Sequence, residues 1–183
     1  MKRLLLILLL LILPSCSLCI DEERDIEFIV TGLKVLELDG VHIRVIQYPK
    51  VPGNFFMGYR FGQTEKEDGY GEGHYTISIY GRTMGRNHFW EILAHELIHV
   101  KQLHTGKIDY FAEDEEVYFI WEGDTLKSKD IGYDDRPWEK EAFTKADSLR
   151  NLIKDELKRK RIEGYKKKLK RFQRDVTKAV GLD

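Results

Sequence analysis

In the run ILAHELIHVKQ, Ile92 to Gln102, apolar residues recur at helical spacing, yet His95, Glu96 and His99 crowd into little more than one turn. At about 100° per residue, His95 and His99 fall one turn apart on the same helix face, close enough for both rings to meet one ion. Ile92, Leu97, Ile98 and Val100 make full exposure of this helix unfavourable, and a buried imidazole needs a partner. The expectation is a core helix from about His88 to about His104, with Asn87 as N-cap and Gly106 soon after as a stop.

A metal ion is the partner this spacing suits. In the H-E-x-x-H arrangement two neutral imidazoles ligate zinc, while the glutamate acts as general base toward a zinc-activated water and can return the proton to a leaving amine. Here the ligands are His95 and His99 and the base is Glu96. Cys16 and Cys19 are the two cysteines of the chain, both near its N-terminus, so the folded body has no thiol to serve as ligand, nucleophile or disulfide partner. Nitrogen and oxygen must hold the Zn2+. A catalytic zinc commonly has three protein ligands and leaves the fourth position open, so a third residue has to be found. His104 lies nine residues past His95 and turns to the opposite side of a continuous helix, which suits a surface or supporting position. The metzincin pattern H-E-x-x-H-x-x-G-x-x-H is not met, because Thr105 stands where the third histidine belongs.

Downstream, RPWEKEAF holds Glu139, Lys140, Glu141 and Ala142. With the first motif, this resembles the gluzincins, the thermolysin-like branch of zinc peptidases, in which a later helix supplies a glutamate in a pattern close to E-x-x-A-D. The resemblance, covering roughly Gly73 to Lys145, implies Glu139 as third ligand, with Glu141 as the alternate. Phe143 occupies the place of the family's aspartate. The group that orients a ligand histidine through its second ring nitrogen is therefore sought among Glu91, Asp135 and a backbone carbonyl. The family also puts a strand just before the active-site helix at the sheet edge where the peptide lies extended, which points to His74 to Tyr80. Candidate donors to the developing oxyanion are Tyr133 first, then Arg136 and His74. Trp138 and Phe143 are expected to anchor the core.

With 183 residues and 42% hydrophobic content, the chain can bury one core. Around Asp39-Gly40, the segment LKVLELDGVHIRVIQY reads as a hairpin after a charged linker, Asp21 to Asp25. NFFMGYRFG and HYTISIYGR read as further strands, separated by a Gly-rich acidic loop from Gln63 to Gly73, and EVYFIWEGDTLKS reads as two short strands. A helix follows from Pro137, capped by Asp134 or Asp135, and a long amphipathic helix from Leu149, with Gly164 as a possible break. The fold class expected is α+β: a small zincin-like domain with a mixed or antiparallel sheet, an active-site helix, a ligand helix and a C-terminal helical extension. Its divisions are residues 1–20, 21–148 and 149–183.

The two ends carry other signals. MKRLLLILLLLILPSCSLC has a basic start, an apolar run and small residues, as an export signal does, and Leu13 to Cys16 resembles a bacterial lipobox. The expectation is an exported protein held at a membrane by lipid on Cys16, with secretion or a periplasmic location as the alternative. From Leu149 to Asp183 there are 13 Lys/Arg against 5 Asp/Glu, so an acidic body bears a basic tail. A solvated helix whose apolar stripe docks on the body is the first reading of that tail, then a surface for polyanions such as anionic lipid headgroups; nucleic acid is not an expected partner. Together these features imply zinc-dependent hydrolysis of a peptide or protein substrate. The rival is a membrane-tethered, metal-stabilised binding module without catalysis that engages surface polyanions through its basic helix.

Overall fold

The computed structural model describes residues 22–48, 62–67, 69, 71–80 and 85–179. Its elements run α1 (Glu22–Val35), β1 (His42–Tyr48), β2 (Gly62–Lys66), β3 (His74–Tyr80), α2 (Arg86–His104), β4 (Ile108–Glu113), β5 (Glu116–Trp121), β6 (Asp124–Lys127) and α3 (Pro137–Ala179). The fold is α+β. One sheet has the order β1-β3-β2, with β1 parallel and β2 antiparallel to β3; the other is an antiparallel meander, β4-β5-β6.

Three helices and the mixed sheet share one core. Phe28 of α1, Ile77 and Ile79 of β3, Leu93, Leu97 and Val100 of α2 and Ile153 of α3 are all but sealed from solvent. Gly32 lets α1 come this close. A methyl group there would lie 2.7 Å from Leu97 Cδ1 and 3.0 Å from Ile153 Cδ1. On α3 the buried residues Trp138, Ala142, Ala146, Leu149, Ile153 and Leu157 follow a three-to-four spacing that lays one face on the core.

Several local expectations give way to tertiary structure. Of the expected linker, Glu22 to Asp25 belongs to α1 and Asp21 lies outside the described residues, and the expected hairpin loses its first arm. Phe28, Ile29, Leu33 and Leu36 are spaced for a helix face, and that longer pattern outweighs the Asp39-Gly40 signal, which marks a turn from helix into β1. Apart from Gly62, the NFFMGYRFG strand lies outside the described residues, while β2 occupies the start of the expected loop. Strand β4 was not anticipated. His74 to Tyr80 is a strand but not an edge: β3 is the central strand of its sheet, with every residue paired to β1. The edge next to α2 is β2.

Helix α2 is capped by Gly85 and not by Asn87, which sits inside the first turn and accepts from Lys154 Nζ at 3.3 Å. Pro137 does open α3, but neither expected aspartate caps it: Tyr133–Asp135 forms a turn of 3-10 helix, and Asp135 pairs with Lys140 at 3.1 Å. The expected ligand helix and tail helix are one continuous helix, unbroken at Gly164.

Candidate metal centre

Two helices meet at the site. His95 and His99 project from α2 toward the first turn of α3, where Glu139 is buried, and the three offer ligand atoms within 4.8 Å of one another. His95 Nε2 and His99 Nε2 are 3.1 Å apart, and Glu139 Oε2 lies 3.2 Å from the first and 3.3 Å from the second. Ligand atoms bonded to zinc at about 2.0–2.1 Å with tetrahedral angles are separated by about 3.3 Å. The three atoms thus form one face of a tetrahedron of the right size.

Protonation sharpens that fit. His99 Nδ1 is 2.8 Å from Gln102 Oε1, and the amide of Gln102 cannot be turned round, because its Nε2 donates to Trp138 O at 3.1 Å and to Glu141 Oε2 at 2.9 Å. Nδ1 therefore carries the hydrogen. In a neutral ring the lone pair of Nε2 then faces both another imidazole nitrogen and a carboxylate oxygen, a repulsive arrangement unless a cation or a proton lies between them. Burial works against charge on His99, but the hydrogen bond to Glu139 and the negative fields of Glu96 and Glu139 outweigh it, and the pKa rises. Burial likewise opposes charge on Glu139; hydrogen bonds from His95, His99 and Tyr133 prevail and hold it far below the usual carboxylate range. The same three side chains could hold a metal ion.

Gln102 is the residue the sequence reading missed. It stands where Glu91, Asp135 or a backbone carbonyl was sought, while Glu91 points to Arg150 and His88 instead. The i, i+3 spacing from His99 was visible, but an amide was not considered for the task. Glu141 is not at the ligand triangle. It accepts from Gln102, Lys107 and Lys145, so it buttresses the amide that holds His99. Burial alone would raise Glu141, yet those three donors pull it down to about 2. His104 is exposed and 3.3 Å from the Tyr75 hydroxyl, away from the triangle.

Glu96 is 3% exposed and turns under β2, where Thr64 Oγ1 donates to its Oε2 at 2.7 Å. Gly62 makes room for it: a Cβ there would fall 2.3 Å from Glu96 Oε1. Tyr133 Oη donates to Glu139 Oε2 at 2.7 Å, so its hydroxyl stands beside the ligand carboxylate. Arg136 is packed among Phe119, Tyr133 and Trp138. The His74 ring stacks on His42 at 4.6 Å and does not line the cleft. Trp138 is buried at 3% exposure, whereas Phe143 is 59% exposed and lies over His95 with ring centres 4.5 Å apart, so it shields a histidine instead of anchoring the core.

A cleft of about 250 Å³ opens between β2, the β4–β5 hairpin and the site, with Glu96, His99, Tyr133 and Glu139 on its wall. The rest of its wall is mixed, with Leu103, Ile108, Val117, Phe119 and Trp138 on one side and Gln63, Thr64, Glu65 and Arg136 among its polar members. No family model, curated protein or solved structure matches this chain.

Proposed function

We propose that this protein is a zinc-dependent peptidase acting outside the cytoplasm, with His95, His99 and Glu139 as ligands. The observation that carries the reading is the triangle of 3.1, 3.2 and 3.3 Å with the His99 lone pair turned inward. Its chemistry suits a borderline cation that accepts nitrogen and oxygen donors. When bound, zinc would lower the pKa of a water and polarise the scissile carbonyl.

The protein's own groups supply the rest. Thr64 occupies Oε2 of Glu96, which leaves Oε1 to take a proton as water oxygen bonds to the carbonyl carbon, and to hand it to the amine nitrogen as the C–N bond breaks. Gly62 gives that carboxylate oxygen room against the strand, where any side chain would displace it. Tyr133 steadies Glu139 at rest and, on rotating away, can donate to the oxyanion. Among the described residues no strand pairs with the outer edge of β2, so an extended peptide can add there through its main chain, with one apolar side chain entering the cleft.

The test is Glu96→Gln with zinc measured by elemental analysis and cleavage of a peptide library read by mass spectrometry. Zinc should stay at the wild-type level while turnover falls by about 10²–10⁴-fold. Equal turnover in the two proteins, or a zinc-loaded wild type that cleaves nothing, would overturn the proposal.

A further inference from the structure

Beyond Leu157, α3 leaves the core. Ile162, Tyr165, Leu169 and Phe172 are 44%, 72%, 57% and 65% exposed, so the tail's apolar stripe docks on the body through Leu149, Ile153 and Leu157 as expected but not beyond them. At about 100° per residue these four residues form a single stripe, bordered by Arg161 and Lys168 on one side and by Lys166 on the other. Lys158 to Arg174 holds ten Lys/Arg against one acidic residue, Glu163. Arg159 is committed to Glu156 and Glu163, but among the described residues no carboxylate pairs with Lys166, Lys167, Lys168, Lys170 or Arg171. An apolar face rimmed by uncompensated cations matches a surface that is oily below and anionic at its boundary.

The placement of α1 points the same way. Arg161 lies 4.0 Å from Glu27, Lys160 donates to Thr31 at 3.1 Å, and Gly32 sits against Ile153, so α1 runs antiparallel to α3. Its first residue, Glu22, thus stands at the end of the molecule from which the basic tail emerges. Cys16 is six residues earlier in the chain, a reach of at most about 20 Å even when extended. Lipid carried on Cys16 would therefore tether the chain within that reach of the pole from which the tail emerges.

We infer that residues 158–174 of α3 form a docking surface for an anionic phospholipid bilayer, lying in the headgroup plane with the four apolar side chains inserted. A second copy fits less well, because a paired stripe would bring Arg161, Lys166 and Lys168 of both helices together. The inference does not depend on the peptidase reading.

The full chain, reconstituted in phosphatidylglycerol-containing vesicles and in pure phosphatidylcholine vesicles, should differ in trypsin cleavage after Lys166 to Lys170. Cleavage should be at least about tenfold slower on the anionic vesicles, and high salt should remove most of the difference. Replacing Ile162, Tyr165, Leu169 and Phe172 together by Ser should abolish the protection without changing the near-UV circular dichroism of the body, since all four are exposed. Equal rates on the two vesicle types would overturn the inference, as would protection that survives the fourfold substitution. Protection in lipid-free detergent that grows with protein concentration would also overturn it, in favour of a second copy.

Discussion

The two halves of α3 share one backbone and little else. From Pro137 to Leu157 the helix lays a buried face on α1 and α2, and its first turn contributes Glu139 to the cluster with His95 and His99 and Glu141 to the support of Gln102. From Lys158 onward it buries no apolar side chain among the described residues. Continuity of hydrogen bonding therefore says nothing about what holds a segment in place. The near half is fixed by packing, whereas the far half persists through helix propensity and i, i+3 or i, i+4 pairs such as Arg159 with Glu156 and Glu163, which water and salt screen.

Truncation is the bluntest way to break that contrast. Ile153→Ala empties a fully buried site and should cost about 2–5 kcal/mol of unfolding free energy, while Ile162→Ala should stay within about 0.5 kcal/mol, both read by urea titration. Comparable losses at the two positions would mean that the far half packs on something in the isolated protein. Next in size is the metal. Glu139→Ala should weaken zinc binding by at least about 100-fold, roughly 2.7 kcal/mol, in chelator competition, and Glu163→Ala should leave it unchanged.

Removing support from a ligand is milder. Gln102→Leu frees the His99 ring to rotate and exposes the buttress formed by Glu141, so zinc affinity should drop by about 10–100-fold with helix content intact. A drop as large as that of Glu139→Ala would show Gln102 to be more than a holder. The smallest effect is electrostatic. Glu141 has its folded pKa depressed to about 2, so the stability it confers is full above its unfolded value of 4.5 and is lost as the pH falls through about 2. That acid-side loss, held by three donors around a half-buried carboxylate, should resist added salt more than the shift of Glu156, which the exposed Arg159 produces at the end of the packed half, when both are followed by NMR titration.

Much of the centre was legible locally. His95 and His99 share a face because helical spacing fixes it within five residues, and Pro137 opens the helix that carries Glu139 two positions later. What was misread depended on distant partners. Phe143 follows the glutamates in an apparently apolar setting, yet its surroundings are set by α2, and it ends exposed above His95. Strand β2 looked like a loop because Gly62 to Lys66 has little β-branched character; its pairing comes from β3, and its glycine answers to Glu96 on α2. Helix α1 was hidden behind a strong turn dipeptide whose effect reaches only a few residues.

By itself the sequence determined the helix with two histidines and a glutamate in one turn, the absence of thiols from the body and the basic amphipathic character of the C-terminal helix, because each depends on residues close together in the chain. Tertiary structure decided which strand forms the edge, that Glu139 and not Glu141 faces the histidines, that Gln102 holds the ring of His99, and that the apolar stripe beyond Leu157 meets no core. Those outcomes turn on which elements pack against which, and a local pattern leaves that open.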